Sequence, residues 1–156
     1  MVRANYPEAV IDVLDDEIRY PPGVVEAVES FAAMNPWQGS INSRKMKFQQ
    51  LNRDLARACN IDKPTLCFGQ LHGGSSGSSF YRPSDHRIVI NGKLSVVTFL
   101  HEFAHALGFD ERKACKWSIN LFRKCFPRQY SRLIHVGHTL IRPKDISAML
   151  TKEGAR

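Results

Sequence analysis

The 156-residue chain has no two cysteines at the spacing of a metal or redox motif. Cys59, Cys67, Cys115 and Cys125 stand singly among apolar residues. Neither a zinc ribbon nor a thioredoxin-type site is therefore indicated, and free, buried thiols are expected. No apolar run approaches the ~20 residues that a helical bilayer crossing needs, so no membrane partner is expected. The N-terminus lacks a basic stretch leading into an apolar one, which argues against a secretory leader. The expected compartment is the cytoplasm, where disulfides are rare. The small-residue stretch from His72 to Ser79 lacks the Gly-Lys-Ser/Thr ending of a phosphate-binding loop. Internal repeats and a domain-splitting linker are also missing.

What is present is an ordinary globular composition, 43% hydrophobic and 24% charged, in a length that suits one domain over residues 1–156. The net charge of +7 is unevenly spread. Residues 1–31 carry seven acids against Arg3 and Arg19, a net of −5, so the remainder carries +12. Arg112, Lys113, Lys116, Arg123, Lys124, Arg128 and Arg132 crowd the stretch 112–132. Such a stretch is either a solvated helix face screened by the acidic N-terminal segment, or a surface for nucleic acid or an acidic protein. The first reading is favoured, because basic residues alone specify little.

The periodicities predict an α+β fold. An acidic helical segment over residues 1–35 contains a short helix at 7–20, a break at Pro21-Pro22-Gly23, and a second helix to about Met34. A third helix, capped by Ser40 or Ser43, runs to about Cys59 with Phe48, Leu51 and Leu55 on its apolar face. Thr65–Leu71 and His86–Ile90 read as strands, Phe80-Tyr81 as extended, and Asn91-Gly92 as a tight turn. Ser95 opens a helix that Gly108 stops, and Asp110 caps another, from Glu111 to about Phe126, that Pro127 limits. After Tyr130 the chain reads as irregular, with a closing helix near residues 146–150.

The helix after Ser95 holds His101-Glu102-Phe103-Ala104-His105, an HExxH motif. Histidines four apart share a helical face, so both can reach one cation. Glu102 lies where a carboxylate can hold and deprotonate a water on that cation, the layout zinc proteases use. The positions around it are apolar, so these polar groups must be buried or line a cleft, and a metal supplies the partner that buried charge needs. A catalytic zinc takes three protein ligands. Glu111 is the favoured third, because it shares the face of Ala114 on the next helix and the Gly108 turn lets the chain double back. Asp110 is the rival, although its position suits capping, and His135 and His138 are further candidates as ligands or transition-state donors. Tyr81, His72 and His86 are weaker candidates for oxyanion donors. The segment His86–Ile90 is expected to be the edge strand onto which an extended peptide adds.

Residues 88–127 resemble the ImmA/IrrE-type metallopeptidases, gluzincins in which an Ile-Xaa-Ile-Asn stretch precedes the HExxH helix. A later Glu-Xaa-Xaa-Ala-Xaa-Xaa-aromatic pattern in that family supplies the third ligand. Ile88-Val89-Ile90-Asn91, His101–His105 and Glu111 through Trp117 to Pro127 match in order, over about a quarter of the chain. The interval from His105 to Glu111 is shorter than in that family. The same residues also resemble the metzincin pattern HExxHxxGxxH with Glu111 in the last place, though no Met-turn follows. A SprT-like, DNA-associated protease is a third resemblance, suggested by the basic charge. The resemblance implies a compact zincin-like fold, with a small mixed sheet packed on the HExxH helix and a catalytic core at 60–127. It also implies Zn2+ held by His101, His105 and Glu111, Glu102 as general base, and a protein or peptide substrate, such as an intracellular regulatory protein. The alternative reading is a non-enzymatic module that binds nucleic acid or an acidic partner.

Overall fold

The computed structural model describes residues 13–71, 78–136 and 139–141, with side chains as far as residue 133. It is mixed helix and strand, as the periodicities predict. Helices α1 (Val24–Ala33) and α2 (Ile41–Cys59) come first. Strands β1 (Thr65–Leu71), β2 (Phe80–Arg82) and β3 (Arg87–Gly92) follow, with a short 3-10 turn at Pro83–Asp85 before β3. Helices α3 (Val96–Ala106) and α4 (Glu111–Cys125) complete the core, and the short α5 (Pro127–Ser131) follows. A hairpin of β4 (Ile134–Val136) and β5 (Thr139–Ile141) comes last, where the sequence reads as irregular. Three-residue strands are too short to show an alternation, which is why pattern reading passes over them. Residues 72–77 of the small-residue stretch His72–Ser79, the helix expected near 146–150, His138 and the side chain of His135 lie outside the described residues, His72 among them.

Local chemistry sets the helix boundaries. Ser40 Oγ accepts from Ser43 N at 3.1 Å, Ser95 Oγ from Thr98 N at 3.3 Å, and Asp110 Oδ1 from Lys113 N at 2.8 Å. Each satisfies an amide that the helix itself leaves unpaired. The helix expected at 7–20 is not found in its described part, residues 13–20. Tertiary bonds hold that segment instead. Asn120 of α4 donates to the Val13 carbonyl at 2.6 Å and accepts from Asp15 N at 2.8 Å, and Val13 itself is buried.

The three-stranded sheet has the order β1-β3-β2, with β1 parallel and β2 antiparallel to β3. The strand expected at the edge, His86–Ile90, is therefore central. Its Ile88 and Ile90 are fully buried, and a strand this apolar gains most by pairing on both sides. His86 is outside it, in the left-handed region at φ 47°. The edge beside α3 is β2. Asn91-Gly92 belongs to the end of β3 rather than to a hairpin turn. The Asn91 side chain crosses β1 at Gly69, where a Cβ would overlap its Oδ1, and donates to Ser78 O at 2.8 Å.

The buried side chains form one cluster in which α3 is packed from beneath. Aromatic rings meet in series from α1 to α4. Phe31 meets Phe48 at 4.9 Å between centroids, Phe48 meets Phe99 at 5.8 Å, and Phe99 meets Phe103 at 6.0 Å. Phe103 then stacks on Trp117 at 6.1 Å. These contacts fix one face of α3 and leave the face bearing His101 and His105 to a cleft. Among the described residues no helix is long and apolar enough to cross a membrane.

Candidate metal centre

The site is built by the turn between α3 and α4. Gly108, at φ 91°, takes the left-handed conformation that ends α3. Gly108 N donates to His105 O at 2.9 Å and Phe109 N to Ala104 O at 3.2 Å, the bond pair of a Schellman turn. The same turn swings the Phe109 carbonyl back to His105 Nδ1, 2.9 Å away. A carbonyl can only accept, so Nδ1 carries the proton and the lone pair of a neutral His105 lies on Nε2.

Doubling back also delivers Glu111, the first residue of α4, to the two histidines. Its Oε1 lies 3.0 Å from His101 Nε2 and 3.0 Å from His105 Nε2, and the two Nε2 atoms are 3.2 Å apart. The histidine side chains are about four-fifths buried, at 20% and 24% exposed, whereas that of Glu111 is 70% exposed. Burial pushes the Glu111 carboxyl up. The neighbouring His101 and His105 rings outweigh that, and the group is held below its usual value.

Three acceptor atoms so close together repel unless a positive charge lies among them, either a proton on a ring or a metal ion. The donor set fits zinc: two imidazole nitrogens and a carboxylate oxygen are its ordinary ligands in catalytic sites. Tetrahedral ligands at ~2.1 Å from zinc lie about 3.4 Å apart. The separations of 3.0–3.2 Å need only a small opening to reach that. His101 and Glu111 also form a second donor group with Cys115, whose atoms lie within 4.8 Å of one another. That group is looser. Burial and the Glu111 charge push the Cys115 thiol up to about 11, so it stays protonated at neutral pH and is a poor ligand.

Glu102 is 8% exposed, beside the histidines and under β2. Burial raises its carboxyl to about 7, with His105 pulling it down, Glu111 pushing it up and the backbone N–H of Tyr81 donating to its charged form. Together these residues line an open cleft of ≈ 620 Å³ that Phe80, Tyr81 and Phe109 also border.

Among the other described candidates, Tyr81 borders the cleft and His86 does not. Asp110 caps α4. His86 Nε2 donates to Asp62 O at 2.7 Å, and the Tyr81 hydroxyl donates to His86 Nδ1 at 2.7 Å, so both are engaged in bracing β2. Sequence reasoning missed the Phe109 carbonyl and the Tyr81 amide, since backbone groups carry no residue signature. It also missed Cys115, although its place four residues after Glu111 puts it on the same face of α4. In the basic stretch, Lys116 pairs with Asp15 at 3.2 Å and Arg123 with Asp16. Comparison of the chain with known protein families, with curated proteins and with solved structures finds no match.

Proposed function

We propose that the chain is a zinc-dependent peptidase of the zincin type, acting on a protein or peptide. The observation that carries this reading is the convergence of His101 Nε2, His105 Nε2 and Glu111 Oε1 within 3.2 Å, beside the buried carboxyl of Glu102. His101, His105 and Glu111 would hold the metal, which supplies Lewis acidity: it polarises a carbonyl and lowers the pKa of water toward ~7.

The chain's own residues do the rest. Glu102 takes a proton from the attacking water and returns it to the leaving amine, a shuttle for which a buried carboxyl beside the histidines is placed. The Tyr81 N–H favours the charged form of that carboxyl. Phe109 keeps His105 in one tautomer. The open cleft admits an extended chain, and β2 is the sheet edge that borders it, so main-chain pairing with β2 would align a peptide across Glu102.

Metal analysis of the purified chain is the direct test. Zinc near one per chain is expected, falling sharply in His101→Ala and His105→Ala. Full metal retention by both variants would sink the site. Glu102→Gln should keep the metal and lose cleavage of a mixed peptide library. Wild type that binds zinc but cleaves no member of a broad library would instead favour a hydrolase for a different substrate, or a binding module.

A further inference from the structure

The histidines and Glu111 each have a second polar atom, and how those atoms are held decides which face the shared point. For His105 that service comes from the Phe109 carbonyl. For His101 and Glu111 it converges on one side chain. Cys115 Sγ lies 3.8 Å from His101 Nδ1 and 3.9 Å from Glu111 Oε2, within reach of hydrogen bonds to sulfur. Cys115 is 2% exposed, one turn beyond Glu111 on α4, so its thiol has no competition from bulk water.

A thiol has one S–H to give and a sulfur that accepts. A carboxylate only accepts, so the S–H is directed to Glu111 Oε2. The sulfur then receives the proton of His101 Nδ1, which puts the His101 lone pair on Nε2, the atom that faces His105 and Glu111. Fixing Oε2 likewise leaves Oε1 as the oxygen presented to both rings.

We propose that Cys115 is a positioning residue of the metal centre, one thiol setting both the tautomer of His101 and the carboxylate oxygen that Glu111 offers. This rests on the metal-centre reading above. It assigns the cysteine no bond to the metal and no redox step.

The test is zinc affinity of the full-length chain, measured by chelator competition, for wild type and for Cys115→Val, Cys115→Ala and Cys115→Ser. Loss of an outer partner of a metal ligand costs about 10–100-fold in affinity. Cys115→Val fills the space without hydrogen bonds and should lose affinity on that scale, as should Cys115→Ala. Cys115→Ser, which keeps a donor and an acceptor, should recover most of it. Circular dichroism of each variant reports whether the fold is retained. Recovery by valine and not by serine would make the role one of packing and overturn the proposal. So would unchanged affinity in Cys115→Val, or a thiolate-to-metal charge-transfer band in the cobalt-loaded wild type. Wild type that takes up no zinc overturns the metal-centre reading together with this one. Zinc-binding wild type with an unchanged valine variant overturns this one alone.

Discussion

At the scale of single residues, the site depends on a glycine with open space where a side chain would stand. A Cβ at Gly108 would meet no atom within 4 Å, so substitution there tests the backbone alone. Gly108→Ala should lower stability by roughly 1–2 kcal/mol, the cost of a left-handed residue with a side chain. Asparagine, which tolerates this region better, should cost less. Urea unfolding at equilibrium reads the difference, and equal midpoints for alanine and wild type would show that the turn is not held at φ 91°. Gly108, the two histidines, Glu102 and the Asp110 cap were all legible in the sequence, because each acts through neighbours within a few positions. The Tyr81 amide was not, since it comes from a strand about twenty positions away.

At the scale of elements, β2 needs bracing because it is a three-residue edge strand. Asp85 supplies it, accepting from Arg82 Nη2 at 2.7 Å and from Arg87 Nε at 2.8 Å, and so clamping the end of β2 to the start of β3. Hydrogen bonds from Arg82 and then Arg87 hold the Asp85 carboxyl far below the usual carboxylate range. A depressed folded-state pKa gives stability that is fully present above the unfolded value near ~3.9 and is lost as pH falls through the folded value. Asp85→Asn should therefore remove part of the decline in stability on the acid side and leave the neutral-to-alkaline slope unchanged. The same acid slope in both proteins, followed by thermal melting from neutral pH downward, would refute the clamp. The sequence predicted two strands of this sheet and extended structure at Phe80-Tyr81, but it did not predict their order. Chain order put His86–Ile90 next to the motif helix as an edge, whereas pairing energy placed its buried isoleucines in the middle.

At the scale of the whole molecule, residues 13–20 lie as a strap across α4. Val13 is buried, and Asn120 reads the backbone on both sides of Leu14. Tyr20 donates to Trp117 O at 2.9 Å, and Trp117 stacks on Phe103 of α3, so the strap backs the ring that supports the motif helix. Magnitudes rank its attachments. Exposed ion pairs such as Asp15–Lys116 contribute little, whereas Asn120→Ala orphans two backbone groups at a cost of about 1–3 kcal/mol. Tryptic cleavage after Arg19 should thus accelerate more in Asn120→Ala than in the Asp15→Asn/Asp16→Asn double variant. If the double variant is cut as fast, charge rather than the asparagine holds the strap. The pairs of Asp15 and Asp16 also mean that Lys116 and Arg123, two of the seven basic residues in 112–132, are matched from within the chain.

The sequence by itself determined helices α1 to α4 with their caps and stops, the strands β1 and β3 ahead of the motif, and the two histidines with the glutamate between them. Periodicity, capping and turn chemistry are short-range, and each is written in adjacent residues. Only the tertiary structure decided what depends on distant segments meeting. It put β3 at the centre of the sheet, made residues 13–20 a strap rather than a helix, and brought Glu111 Oε1 within 3.0 Å of both histidines. It also placed the Cys115 thiol behind two of those groups. The physical reason is the same in each case. Burial and hydrogen-bond satisfaction are decided over the whole core, and a local pattern specifies a surface without specifying what that surface will meet.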